Sequence, residues 1–336
     1  MKSYPKSISV AFDKQIESKQ SHGGITRYIR DLETTLAVFH GVRVVSKKDA
    51  SLIHASFYTG RPKRLPGQRL ITTLYDMTPE LCPDMFPLGK LRLKFRLGSH
   101  ANKRSWLANS DAIVSISNTS ACDLRNVWPE IQVPIHTIHL GTNIQAIQPK
   151  TLSSLDGRRF WLLVGKRSGY KNGLMMLESM RSVLDYSDAP LLVAAGGGSW
   201  SRQELRLIEE YKLSHLVRQY QVSDAELAWL YRRCEAVFVP SHAEGFSLPL
   251  IESLCCNAPC IASEISVHAE VGGAFAQLLP SKSKSEWMEM LADIHQKPLP
   301  TPKNQLGEQN WTHLAERYSL CRMAKEHAEL YHTLIQ

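Results

Sequence analysis

At 336 residues with 43% hydrophobic content, the chain is long enough for two medium domains, each with its own core, rather than for one packed core. Its formal net charge of +8 favours anionic partners, whether phosphorylated small molecules, an acidic membrane face or nucleic acid, without choosing among them. The seven cysteines contain no C-x-x-C pair and cannot all pair within one chain, which argues for a reducing compartment.

No stretch approaches the ~18 to 20 apolar residues of a membrane span, and the N-terminus has charge but no apolar signal core. A cytoplasmic protein that can still touch a membrane face is expected. Cys255, Cys256 and Cys260 have no histidine at ligand spacing and read as small buried hydrophobes rather than metal ligands.

Strands alternate with helices along the whole chain, a pattern that argues for parallel sheets. The first strand is expected at Ile8–Phe12, followed by a helix whose apolar face carries Ile25, Ile29, Leu32, Leu36 and Phe39. Between them Gly23 and Gly24 leave the backbone open to a phosphate or a sugar, or simply turn the chain. Further strands are expected at Leu52–Phe57, Leu70–Leu74, Ala112–Ser117 and Ile135–Leu140. Asp76, at the carboxyl end of one of them, occupies the edge where α/β sheets bind ligands, or else caps the next element.

Between Asp84 and Asp111 there is no acidic residue, while Lys90, Arg92, Lys94, Arg96, Lys103 and Arg104 supply six cations interleaved with apolar residues. This segment is the candidate for anionic lipid or lipid-phosphate contact, or else a solvated basic stretch; its spacing fits a strand or a helix, with helix favoured. A polar segment over 147–157 lacks periodicity and marks the expected linker, giving domains 1–150 and 151–317, with the C-terminal helix of about 318–336 assigned to the first.

The second half restarts with a strand at Phe160–Val164, a helix around Gly173–Leu184 and a strand at Leu191–Ala195, so two Rossmann-like units in tandem are expected. The turn Gly165-Lys-Arg-Ser-Gly-Tyr-Lys-Asn172 between the first two has a phosphate-binding composition, in which Arg167 can fork onto a diphosphate and Lys171 can add a mobile point charge, or else it is a solvated basic turn. Gly196-Gly-Gly198 permits close approach of another chain or ligand. Capping-box spacing at Ser201/Glu204 and Ser223/Glu226 starts two more helices, and the chain from Gln305 onward reads as helical throughout.

The most informative pattern is Glu244-Gly-Phe-Ser-Leu-Pro-Leu-Ile-Glu252, which follows a short buried strand at Ala236–Ser241. Ser247 and Pro249 suit the start of a helix, so Glu244 is expected on the loop and Glu252 about one turn into the helix. Unpaired N–H groups and the positive end of the helix dipole would then lie between two carboxylates, a place for phosphate oxygens, or else the two are simply a solvated loop acid and a solvated helix acid.

Several blocks occur together and in order: Pro240-Ser-His-Ala-Glu-Gly-Phe-Ser-Leu-Pro-Leu-Ile-Glu252, Asn257-Ala-Pro-Cys-Ile-Ala-Ser263, Glu270-Val-Gly-Gly273, Val164-Gly-Lys-Arg-Ser-Gly-Tyr-Lys-Asn172 and His22-Gly-Gly-Ile-Thr-Arg-Tyr28. In these the chain resembles the retaining glycosyltransferases of the GT-B fold, family 4, over most of its length. The resemblance implies an α/β protein of two Rossmann-like domains with a cleft between them and a C-terminal helix crossing back to the first domain. It further implies that Glu244 contacts hydroxyls of the transferred sugar and Glu252 those of the ribose, while Gly245, Phe246, Ser247 and Leu248 turn main-chain donors toward sugar and phosphates. Arg167 and Lys171 would neutralise the diphosphate, Gly23 and Gly24 would approach it from the opposite domain, and Tyr220, Gln221 and Val222 would hold the base.

The implied reaction is metal-independent, cofactor-free transfer of a hexose with retention, from a nucleotide-sugar donor to a saccharide or lipid-linked saccharide. The blocks are similar to those of bacterial mannosyltransferases of surface-polysaccharide assembly, which places GDP-mannose ahead of a UDP-sugar. Two positions depart from the family pattern: Tyr75 stands where a histidine commonly precedes the aspartate matching Asp76, and Ser247 stands where glycine is usual. They motivate the alternatives of a non-catalytic nucleotide-sugar-binding or membrane-associated module, or another enzyme of the same fold. Nucleic-acid binding has the charge in its favour but no motif, and is not expected.

Overall fold

Short aliphatic runs buried on both faces build two sheets in which every strand pair is parallel, as expected where crossover helices cover both sides. The computed structural model describes residues 7–19, 23–38, 41–85 and 100–336. They fall into two units, Met1–Gly141 with Arg317–Gln336, and Thr142–Glu316.

The first unit contains β1 (Ile8–Phe12), β2 (Val42–Val44), β3 (Leu52–Ala55), β4 (Arg69–Leu74), β5 (Ala112–Ser115) and β6 (Ile135–Thr137), in the order β2-β1-β3-β4-β5-β6. β3 stops earlier than its apolar run suggests, because Ser56 leaves the ladder: its N–H and Oγ both bond Asp13 Oδ1, at 2.9 and 2.5 Å. The final helix, Leu320–Ile335, begins at Ser319, whose Oγ accepts the Arg322 N–H at 3.2 Å, and buries Met323, Ala324, Ala328 and Tyr331 against the helix Gly24–Ala37 and β1.

That packing encloses a polar network. Tyr28 Oη donates to His327 Nε2 at 2.9 Å while His327 Nδ1 donates to the Met323 carbonyl at 2.8 Å. His54 bonds Tyr331 Oη at 2.6 Å and Thr73 Oγ1 at 2.7 Å, and the two imidazoles stack with centroids 5.7 Å apart. Burial lowers the pKa of His327 to about 4, and burial plus the neighbouring His327 holds His54 well below its usual range. Above pH 6.5 both are neutral, folded or unfolded. As pH falls from 6.5 toward 4 the unfolded chain takes up protons that the folded network refuses, so stability is lost across that window. His327 alone accounts for about 3 kcal/mol of this loss. Urea midpoints at pH 7 and 4.5 should separate widely for the native chain and much less for His327→Gln; equal separations would reject the network as the acid-sensitive element.

The second unit contains β7 (Phe160–Val164), β8 (Leu191–Ala195), β9 (Val217–Tyr220), β10 (Val237–Val239), β11 (Cys260–Ser263) and β12 (Ala276–Leu279), in the order β12-β11-β10-β7-β8-β9. Its core includes Trp161, edge-on to Phe238 at 5.7 Å, and the fully buried Trp287. Both capping boxes form, at Ser201/Glu204 and Ser223/Glu226. Cys255, Cys256 and Cys260 are buried and their thiols are pushed by burial to about 12, so they fill space as small apolar groups.

The segment read as a linker is tied down on this unit. Arg232 Nη2 donates to the carbonyls of Gln145 and Ile147 at 2.7 and 3.1 Å, and the Lys150 N–H bonds the Ala225 carbonyl at 3.0 Å. The C-terminal stretch is three helices rather than one, Pro302–Leu306, Glu308–Arg317 and Leu320–Ile335, broken at Gly307 with φ +83° and at the cap Ser319. Among the described residues no helix is long and apolar enough to cross a membrane.

Candidate functional site

In the second unit β7 and β10 are neighbours, yet the chain runs from β7 outward to β8 and β9 on one side and from β10 outward to β11 and β12 on the other. The loops beyond their carboxyl ends therefore diverge, and this switch point is where open α/β sheets bind ligands. β7 leads into Gly165–Asn172, and β10 leads into Pro240–Ser247.

These two loops are joined. The His242 N–H donates to the Tyr170 carbonyl at 2.7 Å, and Asn172 Nδ2 donates to the Pro240 carbonyl at 3.1 Å. Lys171 Nζ lies 2.6 Å from both carboxylate oxygens of Glu244, and Ser241 Oγ donates to Glu244 Oε1 at 2.6 Å. The Glu244 side chain is 9% exposed and that of Lys171 26%, so the pair sits at the surface of the crevice with the ammonium on the wetter side. Sequence spacing predicted both residues without predicting that they meet.

The helix Leu248–Cys255 opens as expected, with Ser247 at its N-cap position and Pro249 in its first turn. Ser247 does not cap it: the Oγ makes no cap bond and has no partner among the described residues. Gly245, Phe246 and Ser247 are buried beside Glu244, and Leu248 is half-buried. Glu252 points inward at 3% exposure and accepts a hydrogen bond from Tyr231 Oη at 2.9 Å. Tyr220 ends β9, two strands from β7, with its Oη accepting from Ser154 at 3.1 Å; Gln221 is exposed and Val222 half-buried. Two strand spacings are about 10 Å.

Arg167 is held on the same unit by partners that its loop alone does not announce. Its guanidinium is buried, with Nε 2.6 Å from Glu204 Oε1, Nη1 3.0 Å from the Gly196 carbonyl, and Nη2 2.9 and 3.1 Å from those of Gly198 and Ser199. It also stacks on Trp200 at 4.6 Å. Its donors bond this chain, so in this structure Arg167 fixes the glycine turn. Burial raises the Glu204 pKa, but the Arg167 bond and those from Ser201 outweigh it and hold the carboxyl below the usual range. The turn is closely fitted: at Gly197, φ +72°, an added Cβ would lie 2.1 Å from the Gly165 carbonyl oxygen. The close approach is made by Gly197 alone, and it is to this loop; an added Cβ at Gly196 or Gly198 would meet nothing within 4 Å.

In the first unit Gly23, with φ 149°, precedes the helix that starts at Gly24, and both are exposed. Asp76 Oδ1 accepts the Thr78 N–H at 2.9 Å, just ahead of the short helix Thr78–Leu81, whose N-cap position is Met77. Tyr75 is a core residue whose Oη donates to the Ser56 carbonyl at 2.9 Å. Lys103 does not supply an exposed basic surface: it is buried, bonds Glu80 Oε2 at 2.9 Å and the Asp76 carbonyl, and lies over Trp128. Arg104 is exposed and pairs with Glu130 at 2.5 Å. Lys90, Arg92, Lys94 and Arg96 lie outside the described residues.

Sequence reasoning overlooked three partners. Ser241 carries no motif of its own, Tyr231 is marked by no pattern, and Glu204 is recognisable only as a capping-box acid. Tyr231 and Glu204 act through hydrogen bonds to residues 21 and 37 positions away, beyond local periodicity, and Ser241 bonds Glu244 three positions on within an irregular loop.

Residues 145–310 match the family described as Glycosyl transferases group 1. The O-antigen chain mannosyltransferase RfbU of Salmonella typhimurium is 23% identical over 227 residues, covering 67% of this chain and 61% of that protein. The chain spans about half to three fifths of the length of this and two other curated mannosyltransferases that it matches. Among solved structures, a sucrose-phosphate synthase from Thermosynechococcus elongatus superposes with a TM-score of 0.77 at 17% identity, over 98% of this chain and 99% of that one. HepE of Anabaena, solved in complex with UDP and glucose, gives 0.67 at 14% identity, over 96% and 99%.

Proposed function

We propose that this chain is a GT-B glycosyltransferase that transfers a hexose from a nucleoside-diphosphate sugar to a saccharide or lipid-linked saccharide, a reading supported by the match of residues 145–310 to Glycosyl transferases group 1 and by the likeness of fold. The observation that carries the reading is the Lys171–Glu244 pair, set where β7 and β10 diverge and next to the start of the helix that holds Glu252. A nucleoside diphosphate leaving an oxocarbenium-like sugar needs positive charge, and the ammonium with the helix N-terminus supplies it without a metal or cofactor. Glu244 would then exchange its bond with Lys171 for hydroxyls of the sugar.

Retention is proposed to follow front-face attack. The acceptor oxygen bonds to the anomeric carbon as the bond to the leaving phosphate breaks, and a phosphate oxygen takes the acceptor's proton. Mannose heads the choice of hexose, supported by the relative named as an O-antigen chain mannosyltransferase, with GDP-mannose as donor and UDP-sugars next. A cytoplasmic site of action is proposed, with the cationic run of Lys90, Arg92, Lys94 and Arg96 resting on the anionic inner face of the membrane.

The purified chain should be warmed with GDP-mannose, UDP-glucose, UDP-N-acetylglucosamine and ADP-glucose in turn, scoring the thermal midpoint and the slow release of nucleoside diphosphate. One donor is expected to raise the midpoint and to be hydrolysed. Stabilisation without hydrolysis would favour the binding-module reading, for which the structural use of Tyr75 is the motive. A chain that responds to none of them does not bind nucleotide sugars.

A further inference from the structure

β11 pairs with β10 in parallel, with Val237 opposite Cys260 and Val239 opposite Ala262, so the segment after Ser263 leaves the sheet at the same end as the loop that carries Glu244. The helix Ser266–Gly272 in that segment brings in His268, a residue that no motif marks. His268 is wholly buried, and its Nδ1 lies 2.8 Å from the Ser263 carbonyl. A carbonyl only accepts, so Nδ1 carries the proton and Nε2 presents a lone pair.

Burial lowers the His268 pKa, and the charges acting on the ring are those of Glu244 and Lys171, so the imidazole is neutral at pH 7. Nε2 has no hydrogen-bond partner among the described residues. A buried acceptor left in that condition costs roughly 1–3 kcal/mol, which a fold tolerates where a ligand supplies the donor. Ser247 Oγ, on a residue 2% exposed and three positions from Glu244, is in the same condition.

We propose that His268 Nε2 accepts a hydrogen bond from a hydroxyl of the donor hexose next to the one held by Glu244, making His268 a specificity-determining residue. The inference rests on the donor-site reading above. Two acceptors carried past the same end of the neighbouring strands β10 and β11, one anionic and one neutral, suit adjacent hydroxyls that both donate. A hexose with one of these hydroxyls inverted or missing leaves Nε2 without its donor, and such a loss discriminates more sharply than an apolar contact can.

The experiment compares His268→Asn with His268→Gln. The Asn amide can keep the bond to the Ser263 carbonyl but does not reach the Nε2 position, whereas the Gln amide does. Affinities are measured by titration calorimetry for GDP-mannose against GDP and for UDP-glucose against UDP. For whichever pair the native chain binds, His268→Asn should weaken the nucleotide sugar about tenfold and leave the nucleoside diphosphate unchanged. His268→Gln should recover most of the loss. Equal weakening of sugar nucleotide and nucleotide would assign His268 to packing, and unchanged binding of both would remove it from the site; either overturns the proposal. If the native chain binds none of the four, the donor-site reading itself fails, a result separable from any difference between the variants.

Discussion

Lys171→Ala is expected to reduce sugar transfer by about a hundred- to a thousand-fold, the scale found when a single preorganised charge or donor is removed from a developing anion. Lys171 Nζ is 2.6 Å from each oxygen of Glu244, so the substitution removes the cation at the crevice and also frees the carboxylate that it orients. Glu244 keeps Ser241 as a partner, and Lys171 is partly exposed, so the cost to stability should stay near 1 kcal/mol. Loss of turnover with a nearly unchanged unfolding midpoint is the expected combination. Lys171→Arg should restore only part of the activity, since a planar fork does not reproduce a point charge held between two oxygens. Turnover within a few-fold of the native chain in Lys171→Ala would remove this residue from the reaction.

The fold was largely legible because its strands are short apolar runs with sharp polar ends. Ile8–Phe12, Phe160–Val164 and Leu191–Ala195 lie where periodicity puts them, and both capping boxes start the helices they announce. The central strand at Cys260–Ser263 was not anticipated, and neither were those at Val42–Val44, Val217–Tyr220 and Ala276–Leu279. The last three differ from the first in position. They are edge strands that carry Arg43, Arg218 and Gln219, so an apolar pattern is missing where only one neighbour exists to be paired. In the site the divide is between residue identity and residue partnership. Sequence picks out Lys171 and Arg167 equally, as cations on one glycine-bearing loop. It does not say that the Gly196–Gly198 turn folds back to within reach of Arg167 while Lys171 turns toward Glu244. Burial separates the two roles, and burial at these positions depends on the order of strands in the sheet.

Arg167→Ala should therefore behave as a stability variant before it behaves as a catalytic one. Removing the guanidinium leaves the buried Glu204 carboxylate without its ion-pair partner at 2.6 Å and strips donors from the carbonyls of Gly196, Gly198 and Ser199. Breaking a buried pair from one side costs roughly 3–5 kcal/mol. For a unit of this size that lowers the unfolding midpoint by roughly 10 °C. Removing both charges, as Arg167→Met with Glu204→Leu, should recover part of the midpoint because no unpaired carboxylate remains; recovery is incomplete because the three carbonyls still lack donors. Donor binding in this double variant should weaken only as far as the turn between β8 and the helix Arg202–Glu210 loosens. The opposite result, an unchanged midpoint in Arg167→Ala with transfer abolished, would return Arg167 to the diphosphate and show that its guanidinium swings out of the turn when a donor binds.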